Sequence, residues 1–130
     1  MKKPLYIDAY QKLAARTANT DLTTNEATMV AALGLCGEAG EVADMIKKVF
    51  GQGHVLDDDA LLKEVGDVLW YVAAMCTARG WRLEDVARAN IAKLEERYPD
   101  GFESKRSTDR LGTSLPTGDF ARTRDDKRDT

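Results

Sequence analysis

Two acidic pairs, Glu38-x-x-Glu41 and Glu64-x-x-Asp67, stand on the apolar side of two helical repeats. Their placement constrains the fold more than any other feature of the chain. Residues i and i+3 lie about 60° apart around an α-helix. Glu38 and Glu41 therefore share a face with Val30, Ala31, Gly34, Met45 and Val49, while Glu26, Asp44 and Lys47 lie roughly opposite. The same geometry places Glu64 and Asp67 with Tyr71, Ala74, Met75 and Ala78. Either motif alone is common in charged helices and usually solvated. Two such pairs, both embedded in hydrophobic stripes, favour a built site. If the two helices pack antiparallel, the first pair is centred roughly 16 Å of rise from Phe50 and the second roughly 8 Å from Ala60. The segment Gly51 to Asp59 can span that difference, so the four carboxylates converge across the helix interface. Burying such charge unpaired costs many kcal/mol, so the acids must protonate or find cations. Oxygen ligands without His or thiolate favour a hard ion, Mg²⁺ or Mn²⁺.

The rest of the periodicity is helical as well. Tyr6, Tyr10, Leu13, Ala14 and Thr17 form one stripe between Leu5 and Ala18, with Asp8, Lys12 and Arg16 away from it. Thr23-x-x-Glu26 has the form of a capping box opening a second helix that runs to Phe50, with Gly51 and Gly53 marking a loop. Asp57, Asp58 and Asp59 begin a third helix, which ends at Gly80. A fourth runs from about Leu83 to Tyr98 and stops at Pro99. No segment alternates with period two, so the expected fold is all-α, an antiparallel helical bundle. The third helix carries Leu62, Val65, Val68, Leu69, Trp70 and Val72 on nearly every side. One short chain does not cover so much apolar surface, and a homodimer or homotetramer is expected. Gly34, Gly37 and Gly40 each weaken the second helix by about 1 kcal/mol relative to Ala, which suggests close backbone approach, ligand access or tight helix packing.

Composition narrows the function classes. The 130 residues carry 19 Lys+Arg against 22 Asp+Glu, a net charge of −3 with no clustered basic stretch. Nucleic-acid and anionic-membrane binding are therefore disfavoured. No continuous apolar run reads as a signal peptide or a span. Cys36 and Cys76 sit within helical patterns and fit buried thiols in a reducing, cytoplasmic setting. From Glu103 to Thr130 the apolar residues are Leu111, Leu115, Phe120 and Ala121. Residues 1–102 are thus expected to form the folded domain and 103–130 a polar arm, mobile or ordered on a neighbouring subunit.

The fourth helix adds cations on its inward side. Asn90, Lys93 and Arg97 fall within about 60° of one another and share a stripe with Leu83, Val86 and Leu94. Cations beside a metal-bearing acidic cluster suit a polyphosphate, although simple neutralisation of the acids or snorkelling past the core would also place them there.

Three stretches together carry a resemblance: Gly37-Glu38-Ala39-Gly40-Glu41-Val42-Ala43-Asp44, Glu64-Val65-Gly66-Asp67-Val68-Leu69-Trp70-Tyr71, and Asn90-Ile91-Ala92-Lys93-Leu94-Glu95-Glu96-Arg97-Tyr98-Pro99. Over about residues 5–102 the chain resembles the MazG-like all-α nucleoside triphosphate pyrophosphohydrolases. The resemblance implies Mg²⁺ held by Glu38, Glu41, Glu64 and Asp67, with Lys93 and Arg97 at the phosphates. It further implies hydrolysis of an NTP to NMP and pyrophosphate, in dimers often paired into tetramers. Some members of the family place a basic residue near the start of the third helix, where this chain has Ala60 and then Lys63. Tyr71, Tyr10 and Gln11 are candidates for the nucleoside end, Trp70 belongs to the core or a subunit interface, and His54 to a surface loop. Two other classes compete. A non-catalytic oligomerisation or nucleotide-sensing module would keep the fold and drop the chemistry. A di-iron bundle lacks its Glu-x-x-His pairs here.

Overall fold

The computed structural model describes residues 4–109. It contains five helices: α1 (Ile7–Ala15), α2 (Thr24–Gln52), α3 (Asp58–Ala78), α4 (Leu83–Arg97) and α5 (Ser104–Asp109). Among the described residues there is no strand, so the fold is all-α. The described residues divide into two compact units between Ala89 and Asn90.

Local chemistry sets the helix ends. Thr23 accepts a hydrogen bond from the Glu26 backbone N–H while the Glu26 carboxylate accepts from the Thr23 N–H, a complete capping box. Asp57 caps α3 by accepting from the Ala60 N–H at 3.0 Å. The C-terminus of α2 differs slightly from expectation, because Gly51 remains helical and only Gly53 takes the left-handed conformation, at φ 72°. The Gly53 N–H reaches back to the Lys48 carbonyl, which closes the last turn of the helix. Gly80, at φ 68°, similarly turns the chain out of α3. The segment beginning at Glu103, expected to be a polar arm, opens with α5; residues 110–130 lie outside the described residues.

Within the first unit, α2 packs on α3 and α1 packs on α3. The α2–α3 pair is antiparallel, since Glu38 meets Asp67 while Gly34, one turn earlier, meets Tyr71. Only Ala31, Ala73, Cys76 and Leu83 are buried among the described residues, with Tyr10, Ala14 and Val72 packed around the last three. Much apolar surface stays outside: Leu33 is 74% exposed and Leu62 71%, with Val65 and Leu69 on the same stripe of α3.

The start of α4 is organised from a distance. Residues Gly80, Trp81 and Arg82 offer no Ser, Thr, Asp or Asn as a cap. Instead the Leu83 N–H donates to Gln11 Oε1 at 2.7 Å and the Glu84 N–H to Asp8 Oδ1 at 3.0 Å, both from α1. Gln11 Nε2 also donates to the Trp81 carbonyl (2.9 Å) and to Thr77 Oγ1 (3.2 Å). Arg82 binds Asp8 Oδ2 through Nε and Nη2. That pairing, reinforced by the Glu84 N–H, holds the Asp8 carboxyl below its ordinary value.

Candidate active site

Antiparallel packing of α2 on α3 brings one carboxylate oxygen each of Glu38, Glu64 and Asp67 within 4.8 Å of one another. Glu38 and Glu64 are half-buried and Asp67 is exposed. Partial burial pushes the Glu38 carboxyl above its ordinary value, and the charges of Asp67, Glu64 and Glu41 push it further. None of these acids has an ion-pair partner among the described residues, whereas Asp44, on the far side of α2, pairs with Lys47 and Lys48, whose hydrogen bonds lower its carboxyl pKa to about 2. The cluster is therefore a concentration of uncompensated negative charge built from oxygen donors alone. That donor set fits a hard divalent cation.

Glu41 stands apart from this set. It lies one turn further along α2, is exposed, and falls outside the group of three, although its charge reaches both Glu38 and Lys48. An offset of three residues turns its side chain about 60° toward the edge of the interface. Tyr71, one turn beyond Asp67, lies against the α2 backbone at Gly34, where a Cβ would overlap its ring atoms Cδ1, Cε1 and Cζ. No atom comes that near Gly37 or Gly40, which would accept a Cβ with nothing within 4 Å.

Beside the carboxylates is a cavity of about 310 Å³. Trp70 and Tyr71 wall it from α3, Ala14, Ala15 and Ala18 from α1 and the turn after it, and Val30 and Ala31 from α2; no charged side chain lines it. The Trp70 and Tyr71 rings meet edge to face at 4.9 Å. Trp70 Nε1 donates to Thr17 Oγ1 at 2.9 Å, which fixes the indole. Trp70, expected in the core or at a subunit interface, is thus a cavity wall. Tyr10 packs on the small core; burial, with a contribution from the Asp67 charge, raises its hydroxyl above the ordinary value. Gln11 spends its amide on Thr77, the Trp81 carbonyl and the Leu83 N–H and does not line this cavity. His54 and Lys63 are exposed.

Asn90, Lys93 and Arg97 belong to the second unit. Asn90 and Lys93 are exposed and Arg97 is half-buried, its guanidinium 6.0 Å above the Tyr98 ring. The Arg97 carbonyl accepts from Arg106 Nη1 at 3.4 Å, and Tyr98 stacks at a tilt on Phe102.

An all-α protein with a carboxylate cluster across an antiparallel helix pair is the class that the fold and site define. The family description "MazG nucleotide pyrophosphohydrolase domain" matches residues 24–102, more than half of the chain, and the chain belongs to that family. It is also 34% identical over 105 residues to the Gene 37 protein of Mycobacterium phage L5, covering 75% of this chain and 92% of that protein. No solved structure matches significantly. No helix among the described residues is long and apolar enough to cross a membrane.

Proposed function

We propose that the protein is a Mg²⁺-dependent nucleotide pyrophosphohydrolase that cleaves an NTP or dNTP to NMP and pyrophosphate, in nucleotide house-cleaning or pool control. The observation that carries this reading is the unpaired carboxylate trio on the helix pair matched by the family. Glu38, Glu64 and Asp67 would hold the ion, with Glu41 flanking them; Mn²⁺ suits the same oxygen donors. Held there, a divalent ion would supply charge neutralisation for a triphosphate and Lewis acidity toward its phosphoryl oxygens. Lys93 and Arg97, with Asn90, share one face of α4 by their spacing and bind the phosphates. The cavity beside Tyr71 takes the nucleoside end, where aromatic walls and the lack of lining charge suit a planar uncharged base. The exposed apolar stripes of α2 and α3 support a homodimer or homotetramer; of the two free thiols Cys76 is buried as expected whereas Cys36 is exposed, and both are consistent with a reducing, cytoplasmic setting.

Pyrophosphate release from a panel of standard, deoxy and modified NTPs with Mg²⁺ tests the reading. Asp67→Asn should abolish release while far-ultraviolet circular dichroism stays unchanged. Nucleotide binding without release by the unaltered protein would move the protein to the sensing-module class, and undiminished turnover in Asp67→Asn would remove the carboxylate mechanism.

A further inference from the structure

From the contact between Gly34 and Tyr71 we infer that Gly34 is the specificity-determining residue of the cavity: its missing side chain gives the Tyr71 ring a resting place against α2 and so keeps the cavity wide enough for a base. The inference rests on the proposed reading of the cavity as the nucleoside end. Tyr71 is at once a wall of the cavity and the side chain that occupies the space a Cβ at Gly34 would need. A methyl group at position 34 therefore displaces the ring. On one side Trp70 blocks it, its own ring 4.9 Å away and tethered to Thr17. The adjoining open volume is the cavity, and at about 310 Å³ it lies at the small end of small-molecule sites, which span roughly 300–1,000 Å³. A phenol ring swung into that space removes room that a purine needs more than a pyrimidine does.

The position of Gly34 in the helix separates this role from a purely architectural one. Gly34 and Tyr71 lie one turn from Glu38 and Asp67 respectively, so the contact sits on the cavity side of the carboxylates and not among them. If the ring moves and the helices do not, the base site shrinks and the metal site is untouched. If the helices separate instead, both sites fail together.

Intrinsic fluorescence reads the cavity directly. Trp81 is 52% exposed and does not line it, so Trp81→Phe in the full chain leaves Trp70 as the single tryptophan reporter. Titration with unphosphorylated nucleosides, without metal, should quench Trp70. Gly34→Ala in that background should weaken purine nucleosides by roughly tenfold or more and pyrimidine nucleosides less. Mn²⁺ affinity, followed by electron paramagnetic resonance without nucleotide, should not change. In turnover the variant should show a raised KM at nearly unchanged kcat. In a Tyr71→Leu background, where no ring is left to be displaced, Gly34→Ala should change purine affinity little relative to Tyr71→Leu alone, a comparison that also covers the case in which the single variant folds poorly. Unaltered nucleoside affinity in Gly34→Ala, parallel loss of Mn²⁺ affinity, or an equal Gly34→Ala loss in the Tyr71→Leu background would each overturn the inference. Nucleoside quenching without pyrophosphate release in the parent protein would refute the hydrolase and leave this role intact. Hydrolysis with a normal KM in Gly34→Ala would do the reverse.

Discussion

Replacing Gln11 by Ala removes three hydrogen bonds from α1, one to Thr77 of α3, one to the Trp81 carbonyl in the following turn and one from Leu83 at the start of α4. The bond from the Leu83 N–H matters most, because Leu83 is buried at 4% exposure and its N–H has no local substitute. Losing an N-terminal cap costs about 1 kcal/mol, and an orphaned buried donor about 1–3. The bonds from Nε2 to Trp81 and Thr77 are exposed, so water replaces much of what they contribute. The net loss should be about 2 kcal/mol, or about 8–16 °C in Tm for a unit of this size. Urea and thermal unfolding at one fixed protomer concentration would measure it, since association shifts apparent stability by mass action. Lys12→Ala is the control: Lys12 is the next residue of the same helix, exposed, and changes there should stay within about 0.5 kcal/mol. A Gln11→Ala loss no larger than that of Lys12→Ala would refute the idea that α4 is capped from α1.

Acid titration should expose the same tie through Asp8. Its carboxyl is lowered by Arg82 and the Glu84 N–H, so its contribution is complete above the ordinary value of 3.8 and disappears as pH falls through the lowered folded value. The stability gap between the parent protein and Asp8→Asn should therefore be full at pH 6 and close well below pH 3.8, as followed by urea midpoints; a gap independent of pH would contradict it. Arg97→Lys should lower kcat/KM by roughly ten- to a hundredfold, because an ammonium cannot reproduce a planar fork on phosphate, while Mn²⁺ affinity without nucleotide stays the same. Near-normal turnover would assign Arg97 to charge balance. Light scattering at micromolar concentration should return a dimer or tetramer, and a stable monomer would count against burial of the Leu33, Leu62, Val65 and Leu69 surface between copies.

The parts of the fold that could be read in advance are those decided within a few residues. The Thr23–Glu26 box, the Asp57 cap and the glycines at 53 and 80 act on their own helix ends, so spacing alone located them. The trio Glu38, Glu64 and Asp67 was legible because a helical wheel is also local, and antiparallel packing required only a short connection. Glu41 shows the limit: sharing a face with Glu38 did not fix how far each side chain reaches across the interface. The caps on α4 were hidden because their acceptors are 72 and 76 residues away. Of the three interior glycines in α2, the pattern could not say which meets a neighbour, since that depends on where the Tyr71 ring lands.

The capping of α4 by α1 separates kinship from autonomy. The family match begins at residue 24, whereas Asp8 and Gln11, like the alanines at 14, 15 and 18 that wall the cavity, all precede it. A fragment cut to residues 24–102 would keep Glu38, Glu41, Glu64, Asp67, Tyr71, Asn90, Lys93 and Arg97 and still lack the α1 caps of α4 and one wall of the cavity. Excision by homology would thus leave out the residues that cap α4 and wall the cavity, and a fragment meant to keep them has to start before Asp8.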